Sequence, residues 1–301
     1  ELLAVGLEVH VAAPNLPMNC AVRKKLENLG IFVHQIPLRR TGNNPFLDIL
    51  LFFSLWRLMI EIKPKFFLAY TIKPVIYGNI AAWLAMVPRR FALITGIGYA
   101  FEINGEKRTK VQVIAQNLYR VALYNAHTVF FQNPDDKALF EELGLVDEKR
   151  QKTVVVNGSG IDIHSFKVSG LPKHVHFLMI ARILKSKGVK EYADAASIVR
   201  LKYPEVNFSL AGWLDESPDA LSQFELQDLI RSGNIDYHGF LYDVRPTIAE
   251  SSVFVLPSYR EGTPRTVLEA MSMGRPIVTT DAPGCRETVI DGYNGFLVAT
   301  K

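Results

Sequence analysis

The chain has 301 residues, 49% apolar and 21% charged, a size and balance that suit an α/β protein of two domains rather than one core. Its two cysteines, Cys20 and Cys285, exclude a disulfide framework and any cysteine metal-ligand spacing, so a reducing cytoplasm fits. The net charge of +4 is uneven: residues 1–110 carry 14 Lys/Arg against 7 Asp/Glu, and residues 111–301 carry 20 against 23. A basic first half suggests an anionic partner, either a membrane surface or a phosphate-bearing acceptor, with a solvated basic face as the alternative. No nucleic-acid partner is expected.

Residues 1–13, ELLAVGLEVHVAA, read as the end of a helix, a turn at Gly6 and a strand over Val9–Ala13. An α/β domain normally opens with a strand before that helix, so the start looks cut. A helix over Val22–Leu29 and a strand over Ile31–Gln35 follow. Phe46–Ile62 is the longest apolar stretch, but Asp48, Arg57 and Glu61 make it a poor membrane span. A core helix is expected there, with an interfacial helix as the alternative. No signal peptide is recognisable. Strands are then predicted over Phe66–Ala69, Phe91–Ile94, Thr128–Gln132 and Thr153–Val156, with a helix over Lys110–Asn125. Lys73, in the Thr-Ile-Lys-Pro run after the first of these strands, would meet an acceptor phosphate or be solvated. Thr95, Gly96 and Gly98 follow the second and make a Gly-x-Gly turn, which reads equally as a phosphate approach or as a plain tight turn.

Asn157–Pro172 is rich in Gly and Ser and marks the join of two domains, 1–157 and 158–301. Beyond it, strands are predicted over His176–Ile180, Asn207–Ala211, Ile235–His238, Val253–Pro257, Pro276–Thr280 and Gly295–Val298, with a helix over Val189–Lys202. Nothing follows the last strand, so the end looks cut too, and the chain reads as an internal piece of a longer protein. Strands alternating with helices imply parallel sheets covered on both faces. Such sheets bind ligands at the carboxyl ends of their strands, and two facing domains would line one cleft with those ends.

Two loops at such ends carry chemistry. Arg182, Lys185 and Lys187 stand on the loop after His176–Ile180, where an Arg fork and Lys point charges suit a diphosphate; the bland reading is a solvated basic loop. After Val253–Pro257 comes Glu261-Gly262-Thr263-Pro264-Arg265-Thr266, with Glu269 further on. Thr263 is predicted as a helix N-cap and Pro264 as the first helical residue, so that the free amides of Arg265 and Thr266 favour an anion. Two glutamates flanking that turn suit sugar hydroxyls on both sides of a diphosphate; the bland reading makes Glu269 a surface residue and Glu261 a dipole partner. No Asp-x-Asp, His-x-x-x-His or Cys cluster is present, so no catalytic metal or cofactor is expected. Nor is there a nucleophile elbow or Walker loop. His238 is expected to be structural.

The stretch from Val253 to Val298 resembles the C-terminal signature of retaining glycosyltransferase family 4, enzymes of the GT-B architecture with two Rossmann-like domains facing across a cleft. The resemblance makes Glu261 and Glu269 the family's Glu-x7-Glu pair, the first on the transferred sugar and the second on the donor ribose. It makes Arg265 and Thr266 the diphosphate turn, and Arg182 and Lys187 the donor-phosphate cations. Gly158-Ser159-Gly160-Ile161-Asp162 resembles the inter-domain linker motif. YTIKPVIYG and LITGIGYAF resemble a bacterial subgroup acting on polyprenyl-diphosphate-linked sugars, which would place Lys73, Thr95, Gly96 and Gly98 on the acceptor side. The resemblance therefore implies a nucleotide sugar, UDP-linked, as co-substrate and a lipid-linked glycan as acceptor. It also implies metal-independent transfer with retention in polysaccharide synthesis, by a cytoplasmic protein peripheral to the membrane. The alternatives are a nucleotide-sugar epimerase or phosphorylase of the same architecture, or a non-catalytic subunit of a transferase complex.

Overall fold

The computed structural model describes residues 2–39, 44–97 and 110–300. In chain order the strands are β1 (His10–Ala13), β2 (Phe32–Gln35), β3 (Phe66–Tyr70), β4 (Arg89–Ile94), β5 (Thr128–Phe131), β6 (Lys152–Val155), β7 (His176–Ile180), β8 (Asn207–Ala211), β9 (Asp236–Gly239), β10 (Val253–Leu256), β11 (Ile277–Thr280) and β12 (Gly295–Val298). The α-helices are α1 (Ala21–Asn28), α2 (Pro45–Ile62), α3 (Asn79–Leu84), α4 (Lys110–Tyr124), α5 (Pro134–Glu142), α6 (Val189–Lys202), α7 (Gln223–Arg231), α8 (Arg245–Ala249) and α9 (Arg265–Ser272). Each strand expected from the β-branched runs is present, within one or two residues of its predicted ends.

By packing, the chain divides into two units. Among the described residues the first comprises 2–93, 110–129 and 145–152, and the second 94–97, 130–144 and 153–300. The ends of β4 and β5, all of α5 and most of β6 thus group with the second half of the sequence.

In the first unit β1 and β2 form a parallel pair, and β3 pairs in parallel with β4, Phe66 opposite Arg89. The four-stranded sheet runs β3-β4-β5-β6. The helix α2 is started by Asn44, whose side chain accepts from Phe46 N at 3.0 Å, and by Pro45 in its first turn. It ends at Lys63, which takes the left-handed conformation. Leu51, Leu55 and Met59 lie one turn apart and are buried against Ile36, Ala81, Ala82 and Val87, so the expected core helix is present. Its other side is also apolar: Phe46, Ile49, Leu50, Phe53 and Ile60 are exposed. Among the described residues no helix is long and apolar enough to cross a membrane.

In the second unit a six-stranded parallel sheet runs β12-β11-β10-β7-β8-β9. Leu178, Met179 and Ile180 of β7 are all buried, as are Ile277 of β11 and, by period-two alternation, Phe254 and Leu256 of β10. They form one core with Val189, Tyr192, Ala193 and Ala196 of α6 and Val267 and Ala270 of α9. Because every neighbouring pair is parallel, the loops after β7, β8, β10 and β11 leave the sheet at one edge. Arg275, almost fully buried, ties the connecting segment to this unit by donating to the carbonyls of Ser251, Ser169 and Gly170 at 2.9, 2.7 and 3.0 Å.

Candidate active site at the strand ends of the second unit

The loop after β7 makes a single tight turn over Lys185–Lys187 before α6 begins. Gly188, at φ +74°, closes it, and a Cβ there would stand 2.3 Å from the Pro257 carbonyl oxygen. This packs the loop after β7 against the loop after β10. The segment after β8 clasps it from the other side. Lys185 N donates to Asp219 O at 2.9 Å, Ser186 N and Oγ both donate to the Asp219 carboxylate, and Ile183 and Leu184 bridge to Leu214 and Ala220. Arg182 donates through Nη1 to Asp215 Oδ2 at 2.8 Å, the Asp215 side chain being 9% exposed.

From the loop after β10, Glu261 reaches the same place. Its Oε1 accepts from Lys187 Nζ at 2.5 Å and from Ser258 Oγ at 2.8 Å, and the two charged side chains are each only 14% exposed. Glu261 N donates to Pro283 O at 2.9 Å, so the segment after β11 closes the third side. Gly262 lies flat against the end of β4: a Cβ on it would be 2.3 Å from Thr95 O and 2.4 Å from Gln132 Oε1.

The helix α9 begins one residue later than its sequence suggests. Pro264 is the N-cap and Arg265 the first helical residue. Thr263 does not cap because its hydroxyl donates to Gln132 O at 3.0 Å, while Pro264 O receives Val267 N at 3.1 Å. The amides of Arg265 and Thr266 still precede the first intrahelical bond, so the helix end remains suited to an anion. Glu269 is 7% exposed and accepts from Arg265 Nε at 2.9 Å, which removes the surface-residue reading. Burial pushes its carboxyl up from the ordinary value of 4.5, with Arg265 opposing.

Of the residues singled out in the sequence, the structure therefore brings Lys187 against Glu261, Arg265 against Glu269, and Thr95 and Gly96 against Gly262. Arg182 stands on the same loop as Lys187, engaged by Asp215. Lys73 departs from the solvated reading. It is held in the first unit by Asp48 Oδ1 at 2.8 Å, both side chains being under one-fifth exposed. Asp48 also accepts from the Tyr77 hydroxyl at 3.1 Å, and burial, with Asp48 beside it, pushes the Tyr77 pKa up to about 12. Gly98 lies outside the described residues. His238 and His176 share the buried Ser209 hydroxyl at 3.0 and 2.8 Å, a structural use as expected. Among the described residues no group of three His, Cys, Asp or Glu side chains is placed to hold a metal ion.

Sequence reasoning missed the groups behind this site: Ser258, Asp215, Asp219, Asn133 and Asp136. A signal existed for two of them. Asn133-Pro134-Asp135-Asp136 directly after a strand is a helix-start signature, and Asn133 does cap α5, accepting from Asp136 N at 2.7 Å.

Residues 174–301 match the family model described as "Glycosyl transferases group 1", and residues 1–133 match "Glycosyl transferase 4-like". The chain is 32% identical over 292 residues to the N,N'-diacetylbacillosaminyl-diphospho-undecaprenol alpha-1,3-N-acetylgalactosaminyltransferase of Campylobacter jejuni, covering 92% of this chain and 75% of that protein. It is 27% identical over 259 residues to the UDP-Gal:alpha-D-GlcNAc-diphosphoundecaprenol alpha-1,3-galactosyltransferase of Escherichia coli, covering 81% and 65%. In fold it is similar to the sucrose-phosphate synthase of Thermosynechococcus elongatus, with a TM-score of 0.76 at 16% identity over 100% of this chain and 78% of that one. The fold is thus that of the GT-B enzymes, with two Rossmann-like domains.

The contact at Gly262 gives a direct test of the site's packing. Gly262→Ala should lower stability by about 1–3 kcal/mol in urea unfolding, the cost of overpacking against backbone. A loss under about 0.5 kcal/mol, the scale of a neutral surface change, would mean that the Thr95 contact is not tight.

Proposed function

The chain belongs to the group 1, GT4-like glycosyltransferases, and from that premise we propose that it moves a hexose or N-acetylhexosamine from a UDP-sugar to a polyprenyl-diphosphate-linked glycan in cell-surface polysaccharide synthesis. Residues 158–301 form the donor side in this reading and residues 1–157 the acceptor side. The observation that carries it is the convergence of Lys187, Glu261 and the α9 N-terminus at one sheet edge, with Glu269 buried one turn further on. The relatives named above transfer galactose or N-acetylgalactosamine to undecaprenyl-diphosphate-linked sugars, which supports both the donor and the acceptor class. The epimerase and partner-subunit readings are not favoured, because the matched relatives are named as transferases.

In the reaction, the bond from the anomeric carbon to the donor β-phosphate oxygen breaks, and a bond to the acceptor oxygen forms on the same face. Arg182, Lys187 and the amides of Arg265 and Thr266 neutralise the charge that grows on the departing diphosphate, the kind of preorganised stabilisation that dominates transfer chemistry. The acceptor proton passes to the departing phosphate oxygen, so the products are UDP and the extended glycan. Glu269 holds the ribose hydroxyls and Glu261 the transferred sugar. Thr95 and Gly96, beside Gly262, lie on the acceptor side of that sugar. Lys73 acts on the acceptor through its ordered pair with Asp48 rather than as a loose cation.

The first unit meets the membrane through α2. Phe46, Ile49, Leu50 and Phe53 recur at helical spacing on its exposed side, and Lys63 and Lys65 are exposed just beyond its end. An apolar stripe with flanking cations is what an anionic bilayer surface binds. Arg90, by contrast, is held by the carbonyls of Asn125 and Val87 rather than extended into solvent. The protein is then cytoplasmic and peripheral.

Titration with UDP, GDP and ADP should give preferential binding of UDP, weakened about tenfold or more by Glu269→Ala and by Arg182→Ala, the usual scale for charge-assisted hydrogen bonds. Binding requires the ionised Glu269, whose pKa is raised. Affinity should therefore be full at neutral pH and fall on acidification, beginning above pH 4.5. Binding that neither variant weakens would overturn the donor-site assignment. In vesicle flotation, the protein should rise with anionic but not with neutral liposomes, and Phe53→Asp should abolish this. Flotation independent of anionic lipid or of Phe53 would overturn the membrane assignment.

A further inference from the structure

Four consecutive residues of the loop after β10 are each tied to the segment that starts α5. Arg260 donates to Asp136 Oδ1 through Nη2 at 2.6 Å and Nε at 3.2 Å. Asn133 Nδ2 donates to Glu261 O at 3.2 Å and Gly262 O at 3.0 Å, and also faces Asp136 Oδ2 at 3.1 Å. Thr263 Oγ1 donates to Gln132 O. Asn133 and Asp136 are fully buried, so none of this is a surface contact. All of it lies within the second unit, although 128 residues separate Asn133 from Glu261.

A peptide unit is planar, and its C=O and N–H point in opposite directions. Anchoring the carbonyls of Glu261 and Gly262 on one Asn amide therefore turns the N–H groups of Gly262 and Thr263 the other way. The same anchor fixes the Cα of Glu261, and with it the direction from which its carboxylate meets Lys187. The Asp136–Arg260 pair holds the residue just before, so that the loop is pinned at both ends of the critical stretch. A buried amide with its donors aimed at two carbonyls of one turn has few other uses, since α5 needs only the Asn133 oxygen as its cap.

We infer that Asn133 and Asp136 are positioning residues for the sugar-facing end of the donor site, setting the orientation of Glu261 and of the Gly262 and Thr263 amides. They act through the loop and touch no substrate. The inference rests on the donor-site reading above, and its test separates the two.

The informative variant is Asn133→Ser, because Ser caps a helix about as well as Asn but cannot span to both carbonyls. Asn133→Ala loses the cap as well and should unfold at a lower temperature. Transfer from the UDP-sugar should fall in kcat by about tenfold to a hundredfold in both variants, the usual cost of misplaced reacting groups. The donor KM and UDP affinity should stay within about threefold, because the ribose and base contacts lie elsewhere. Asn133→Ser, which keeps the cap but leaves two carbonyls short of a donor, should lose less of the unfolding midpoint than Asn133→Ala. The inference is overturned if Asn133→Ser turns over at the wild-type rate, or if kcat loss follows the unfolding midpoint across the two variants. A wild type that binds no UDP overturns the donor-site reading, and the positioning role with it.

Discussion

A lysine and a glutamate from two different loops, Lys187 and Glu261, share a largely dry contact at the edge of a parallel sheet. That contact requires the loop after β7 and the loop after β10 to approach until side chains of only moderate length touch. Backbone clearances make the approach possible, since Gly188 lies where any Cβ would strike Pro257 O. Once made, the pair is costly to break from one side, because the remaining charge would be left poorly solvated. The surrounding groups follow from this. Ser258 gives the carboxylate a second donor, Asp215 steadies Arg182, and Asp219 fixes the turn that aims Lys187. In the proposed reaction an arriving diphosphate would find Arg182 and Lys187 already in place, so that little reorganisation would be required.

Much of the fold was legible because its signals are local. Short apolar runs such as His176–Ile180 and Asn207–Ala211 appear as strands with the expected ends, buried almost continuously as central strands of a parallel sheet are. The two site loops were legible too, because charged residues following a strand are conspicuous against apolar surroundings. The start of α9 was displaced by one residue by a distant partner, the Gln132 carbonyl that takes the Thr263 hydroxyl. The same holds for Lys73, whose partner Asp48 lies 25 residues earlier on α2. The clasp of Asn133 on the Glu261–Gly262 turn was invisible for the same reason. Nothing in either segment specifies that the other will be beside it, and only the packing of the second unit brings them together.

The helix α2 is apolar on more than its core-facing side. Its apolar residues are too many for one face, so one line of them builds the core of the first unit while another remains in solvent. Asp48 interrupts the apolar surface to hold Lys73 and Tyr77.

The most direct test is the product itself. The protein is supplied with UDP-galactose or UDP-N-acetylgalactosamine and a polyprenyl diphosphate bearing one N-acetylhexosamine, and the new linkage is read by proton NMR. The account predicts release of UDP and an α-linked disaccharide, the donor's anomeric configuration retained. A β-linked product, or an isomerised donor formed without any acceptor product, would contradict it.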